Sequence, residues 1–185
     1  HSDTFNFELN INNQPIIVDT GISTYEKNQI RQKERGTDSH NTVKIRDIDQ
    51  SEVWGGFRVA RRAKIFNLIE NVNFISASHD GYKNIGFIHN RSFKYSDNKI
   101  DILDVLNNST EGGAEAHFHL HSSVNKPLIE NGNIVFDNIS ISITFSEYTK
   151  INILDYQLSG GFNLTRKSHK IVVNFDKRLK TEIYL

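Results

Sequence analysis

The chain is 185 residues long, enough for one domain with a sizeable core and too short for two comfortable ones. Its 22 basic and 22 acidic residues cancel, so no global field would hold DNA or an anionic membrane, and we expect no nucleic-acid partner. No apolar run approaches the roughly 20 residues of a membrane-spanning helix, so no membrane insertion is expected, and the absence of cysteine rules out disulfides and thiolate metal sites.

The chain opens on "HSDTFNFELNI", with neither a methionine nor a signal pattern. Its natural start is therefore expected upstream, leaving a domain truncated at its N-terminus. "FNFELNI" alternates like a strand, Phe5, Phe7, Leu9 and Ile11 on one face and Asn6, Glu8 and Asn10 on the other. "NNQP" reads as a turn and "IIVDTG" as a returning strand ended by Gly21. "STYEKNQIRQKERG" offers only Tyr25 and Ile30 to a core, which predicts a long polar loop with room for one helical turn. "HNTVKI", "FRVARRAKIF", "VNFISAS", "GFIHNRSFKYS" and "IDILDVL" continue the strand pattern. "AEAHFHLHS", "NIVFDN", "ISISITF", "KINILDY" and "KIVVNF" complete it. About a dozen short alternating strands and no helical period predict an all-β fold, an antiparallel two-sheet β-sandwich, as a single domain over residues 1–185.

Three clusters hold residues that can do chemistry. His1, Asp19 and His40, with Asp3 nearby, offer two imidazoles and a carboxylate, a set that suits zinc with one position open. Spacing does not force them together, and a strand-end Asp19 capping the following turn is the plainer reading of the residues alone. The second cluster lies between residues 36 and 63. Sugar sites use flat aromatic faces with Asn, Gln, Glu and Arg around them, and Asn41, Gln50, Glu52, Trp54 and Arg58 supply that chemistry, with Gly55 allowing close approach. A solvated hairpin with one core tryptophan is equally compatible. In the third, "HFHLH", His117, His119 and His121 share one strand face. With no carboxylate beside them in sequence, they read as an exposed sheet face rather than a metal site.

The segments "HSDTFNFELNINNQPIIVDTGISTYE" and "RGTDSHNTVKIRDIDQSEVWGGFRVARRAKI" resemble the C-terminal part of the heparinase II/III family of polysaccharide lyases. That family shows a His-x-His-x-Asp stretch, a Val-Asp-x-Gly strand end and an Arg-x-Thr-x-x-His-Asn-Thr run. A Gln-Ser-Glu-x-Trp segment follows in many members. The dense match covers residues 1 to about 65, and "HDGYKNIGFIHNRSF" and "FHLH" match more loosely.

The resemblance implies a β region that works beside an N-terminal helical toroid domain missing from this chain, with an acidic polysaccharide bound in the cleft between them. It implies β-elimination at a uronic acid: a base takes the proton next to the carboxylate, the carboxylate charge is neutralised, and an acid protonates the leaving oxygen. His1 matches the second His of the first motif, so the family's catalytic His would precede His1 by two positions, and no catalytic residue is assigned in this chain. Asp19 and His40 match the positions that, with His1, hold zinc in metal-bearing members. A periplasmic or secreted placement in a bacterium follows from the same resemblance. The individual polysaccharide is left open, since heparin, heparan, alginate and hyaluronate enzymes share the architecture. A non-catalytic glycan-binding or domain-packing β-sandwich is the alternative.

Overall fold

The computed structural model describes residues 1–111 and 113–185. The first two strands, β1 (Leu9–Ile11) and β2 (Gln14–Ile17), form a hairpin whose turn residues Asn12 and Asn13 both have positive φ, 49° and 62°. Asparagine is the ordinary non-glycine occupant of that left-handed region. The expected strand from Phe5 is shorter than its alternation suggested. Phe5 itself sits at φ 66° and turns the chain, so residues 1–8 are irregular. The alternation still sorts the side chains, with Phe7, Leu9 and Ile11 packed on the core.

The polar loop that follows carries one short helix, α1 (Gln29–Glu34), started by Asn28, whose side chain accepts the Arg31 N–H. The remaining strands are β3 (Val43–Ile45), β4 (Val53–Trp54), β5 (Arg58–Val59), β6 (Ile65–Asn71), β7 (Phe74–His79), β8 (His89–Ser96) and β9 (Lys99–Leu106). Then come β10 (Ala114–His119), β11 (Leu128–Glu130), β12 (Asn133–Val135), β13 (Ser142–Gly161) and β14 (Leu164–Tyr184). "FRVARRAKIF" thus divides between β5 and β6. "ISISITF" and "KINILDY" join into the single strand β13.

Every strand pair is antiparallel. One sheet runs β11-β12-β13-β14-β9-β8-β7-β6, and β10, flanked by β3, joins it through β14. The long β13–β14 hairpin belongs to both layers. Its residues 178–184 pair with β9, and its residues 170–175 pair with β10. Between these stretches β13 breaks register at Ser146–Lys150, where Glu147 has φ 66°. Bulges bend a strand, and this one lets a single hairpin pass from one layer to the other. The facing layers enclose the core: Phe118 of β10 meets Phe145 of β13 at 5.5 Å between ring centroids, and Phe7 lies against both Phe93 and Phe118. The result is a sandwich-like antiparallel fold, as the alternation predicts.

One expectation is corrected. His117 and His119 do not form an exposed face; both are buried, as are Phe118 and Leu120 between them. β10 is an interior strand between β14 and β3, and the Asp38–Asn41 segment covers its histidine face. The opposite extreme is β6, an edge strand whose Ile65, Leu68 and Ile69 all face solvent.

Candidate metal and glycan site

Asp19 follows β2, where the chain turns at Gly21, φ 71°. The Gly21 N–H donates to Asp19 Oδ1 at 2.9 Å, so the carboxylate does cap its turn. The other oxygen faces away from the turn. Asp19 Oδ2 accepts from the Asn6 amide at 2.7 Å and lies 2.7 Å from His40 Nδ1. Burial pushes the Asp19 pKa up, but His40, the Gly21 N–H and Asn6 together outweigh it and hold the carboxyl below its ordinary value.

A carboxylate only accepts, so His40 donates from Nδ1, and in the neutral ring Nε2 is then the nitrogen that carries the lone pair. That Nε2 is buried and has no hydrogen-bond partner among the described residues. The His1 ring lies 5.3 Å from the His40 ring. One ligand atom each from His1, Asp3 and His40 falls within 4.8 Å of the others. Of the predicted ligands, the structure groups His1 and His40 but puts Asp3 with them, while Asp19, its carboxylate already engaged by His40, Asn6 and Gly21, lies outside that group. Asp3 stands with the two imidazoles, and Asp19 stands behind His40 and orients its ring.

The opening residues are held firmly enough to present this group. Ser2 is fully buried; its N–H donates to Arg35 O at 3.0 Å, and its hydroxyl accepts the Ser51 N–H at 2.8 Å. Asn6 Oδ1 accepts the Asn41 N–H at 2.7 Å.

The sugar-binding set divides by burial. Asn41 and Gln50, expected to meet substrate, are fully buried. The Asn41 amide donates to Phe7 O and Val18 O and accepts the His119 N–H, and Gln50 donates to Thr4 O. Their side chains fasten the irregular opening segment instead of facing a ligand. Glu52, Trp54 and Arg58 stay exposed on the β4–β5 hairpin, Trp54 at 46%, with the Arg58 guanidinium 4.6 Å above the Trp54 ring. Trp54 is thus no core residue. Arg35 links the two parts, donating to Trp54 O and Arg58 O while its own carbonyl holds Ser2.

A buried charge network beneath the site escaped the sequence reading. Arg91 donates from Nε and Nη2 to the two Asp104 oxygens at 2.7 and 3.0 Å. Its Nη1 donates to Asn41 O at 2.7 Å and Phe5 O at 3.1 Å. His89 Nε2 reaches Asp104 at 2.7 Å, and His79 lies behind His89 at 3.0 Å. Burial alone would raise the Asp104 pKa, yet Arg91 and His89 bring it to about 2. Burial, reinforced by His89 and Arg91, lowers His79 to about 2. The signal was present in "IDILDVL": Asp104 shares a strand face with the buried Ile102 and Leu106. A carboxylate there requires a cation, and Arg91 is its cross-strand partner.

This bent antiparallel sandwich, with its histidine–carboxylate cluster, has the build of the β domain of a polysaccharide lyase. The model of the family "Heparinase II/III-like, C-terminal" matches residues 1–185, and the chain belongs to that family. Among solved structures it is similar to heparan sulfate lyase HepC from Pedobacter heparinus, with a TM-score of 0.78 and 16% identity. It is also similar to the heparinase III BT4657 gene product, with a TM-score of 0.75 and 18% identity. Each match covers 100% of this chain and 30% of the other, so the chain spans about 30% of the length of those structures. At such identities the likeness is one of fold. No curated protein matches the chain significantly.

Proposed function

We propose that the chain is the β part of a lyase that cleaves a uronic-acid-containing polysaccharide by β-elimination, acting with a helical domain that completes the cleft. The observation that supports this most directly is the meeting of His1, Asp3, Asp19 and His40 at one place on a domain of this family. The heparan sulfate lyases of the same fold make an acidic glycan the natural substrate class. A periplasmic or secreted position in a bacterium would bring the enzyme to such a polymer.

The donor set fits zinc. His40 presents a buried, unpartnered Nε2, His1 and Asp3 lie within reach, and Asp19 supplies the carboxylate that commonly backs a metal-bound imidazole. Bound zinc would tie the opening segment to the strand ends and place positive charge beside the substrate. The chain's own residues supply the rest. Arg58 offers a planar guanidinium suited to a carboxylate, and Trp54 offers a flat face for a sugar ring. Asn41 and Gln50 hold the backbone that carries His1 and His40.

Elimination needs a base, an acid and a carboxylate-neutralising group held together, and misplacement by about 1 Å already costs on the order of a hundredfold in rate. The chain alone should therefore fold yet form no unsaturated uronate, while the longer gene product that carries it should form it. An ultraviolet assay on acidic polysaccharides measures this directly. Robust turnover by the chain alone overturns the divided site, and no turnover by the longer product on any acidic polysaccharide overturns the lyase reading in favour of a glycan-binding sandwich.

A further inference from the structure

A cavity of about 570 Å³ opens between α1 and the outer part of the β13–β14 hairpin, within the size range of small-ligand sites. It adjoins the histidine–carboxylate cluster, since Thr20 and Ser39 in its wall are the chain neighbours of Asp19 and His40. The hairpin is fixed over this loop: Ser159 N–H donates to Thr20 O at 2.9 Å, and its hydroxyl donates to Ile22 O at 2.8 Å.

The charges in the wall are unequally engaged. Its three carboxylates are already occupied by protein groups. Glu34 Oε1 accepts the N–H and hydroxyl of Ser23, Asp155 pairs with His169 at 3.0 Å, and Asp38 lies 3.7 Å from Lys44. Its three lysines, Lys33, Lys167 and Lys170, form no ion pair among the described residues. Lys170 is also pre-positioned. Its ammonium donates to Asp38 O at 3.0 Å and to His117 Nδ1 at 3.4 Å, leaving one proton for a ligand. Burial lowers the Lys170 pKa, outweighing the nearby Asp38 and Glu115 carboxylates, which raise it. A ligand suited to this wall carries an anion for the ammonium groups.

We propose that this cavity is an acidic-sugar subsite, in which Lys170, Lys167 and Lys33 hold a carboxylate or sulfate group. The assignment rests on the lyase reading for its ligand class, but it shares no residue with the exposed Trp54–Arg58 hairpin.

The test is calorimetric binding of a sulfated heparan octasaccharide, its desulfated counterpart, inorganic sulfate and a neutral cello-oligosaccharide to the chain. Native protein is compared with Lys33→Ser/Lys167→Ser and with Lys170→Gln. Lys33 and Lys167 are exposed, so the double variant should melt like the native chain. The expected result is binding of the acidic oligosaccharides, no binding of the neutral one, and affinity at least about tenfold weaker in each variant. Bound octasaccharide should also shield Lys33, Lys167 and Lys170 from acetylation read by mass spectrometry. Equal affinity for the sulfated and desulfated forms assigns the site to a carboxylate; loss on desulfation assigns it to sulfate. Native-like affinity in both variants overturns the subsite, as does failure of the native chain to bind any acidic oligosaccharide. Product formation by the longer gene product judges the lyase reading separately, so the two can fail independently.

Discussion

Acid should unfold this domain well above the carboxylate range, through histidines that the fold keeps neutral. His117 and His119 are pushed far below the ordinary value of 6.5 by burial, with Lys170 adding to the effect, and His79 is brought to about 2. Each folded pKa lies below its unfolded value, so between the two the unfolded chain binds the extra proton. Stability is therefore intact above about pH 6.5 and falls as pH drops below it. Each such histidine costs on the order of 1 kcal/mol at one pH unit below its unfolded pKa and about 2 kcal/mol by pH 5. Three together approach about 6 kcal/mol, against a typical total stability of about 5–15 kcal/mol. His89 is left out of the sum because Asp104 opposes its desolvation. The lowered carboxyls Asp19 and Asp104 act in a different window, losing their stabilisation only as pH falls below about 4. Urea unfolding followed by far-ultraviolet circular dichroism, from about pH 7.5 to about pH 5, reads the effect. His117→Gln should flatten the slope by about one proton. A stability that stays level across this range, or a slope unchanged by His117→Gln, would refute the reasoning.

Arg91→Met strands the Asp104 carboxylate in the core and should cost about 3–5 kcal/mol in the same unfolding assay, with most of the loss recovered by Arg91→Met/Asp104→Leu. Gly81→Ala would bring a Cβ to 2.7 Å from Gln50 O and 2.8 Å from His79 Nδ1, so thermal melting should show a loss of about 1–3 kcal/mol. Asp19→Asn should weaken zinc binding about 10–100-fold in a competition titration, because it removes the charge behind His40; native affinity would count against Asp19 orienting that ring for a metal. Trp54→Ala and Arg58→Ala should each move stability by less than about 0.5 kcal/mol yet weaken binding of acidic oligosaccharides, and unchanged binding in both would return that hairpin to a structural role.

The strands whose outer faces meet water were the legible part of the fold. Ile141, Ile143 and Phe145 alternate with polar residues because one face packs on the core and the other is solvated. β10 broke the rule because both its faces are covered, and buried histidines look in sequence like solvated ones. The joining of two expected strands into β13 was hidden by "SEYT", which interrupts the alternation between them and forms part of an exposed bulge. In the candidate site, His40 and Asp19 were visible through their motifs, whereas the inward-turned amides of Asn41 and Gln50 were not. Alternation locates a strand's faces, but it says nothing about irregular backbone such as residues 1–8, where those amides find their acceptors.

The single hairpin shared by both layers also has a consequence for the order in which the molecule assembles. β13 and β14 are joined by a tight turn, so they can zip together with little loop-closure cost and offer a template to β9 and β10. The histidine–carboxylate segment has only the short β1–β2 hairpin of its own and otherwise depends on distant partners. Asn41 closes on His119 across 78 residues, and Phe5 closes on Arg91 across 86. Contacts of that span form late and slow the folding rate. Residues 1–42 should then be the last to lock and the first to open, exchanging amide protons through local openings while the hairpin stays protected. A ligand that bridges His1 and His40 would raise protection there first, closing the molecule at the segment that is last to settle.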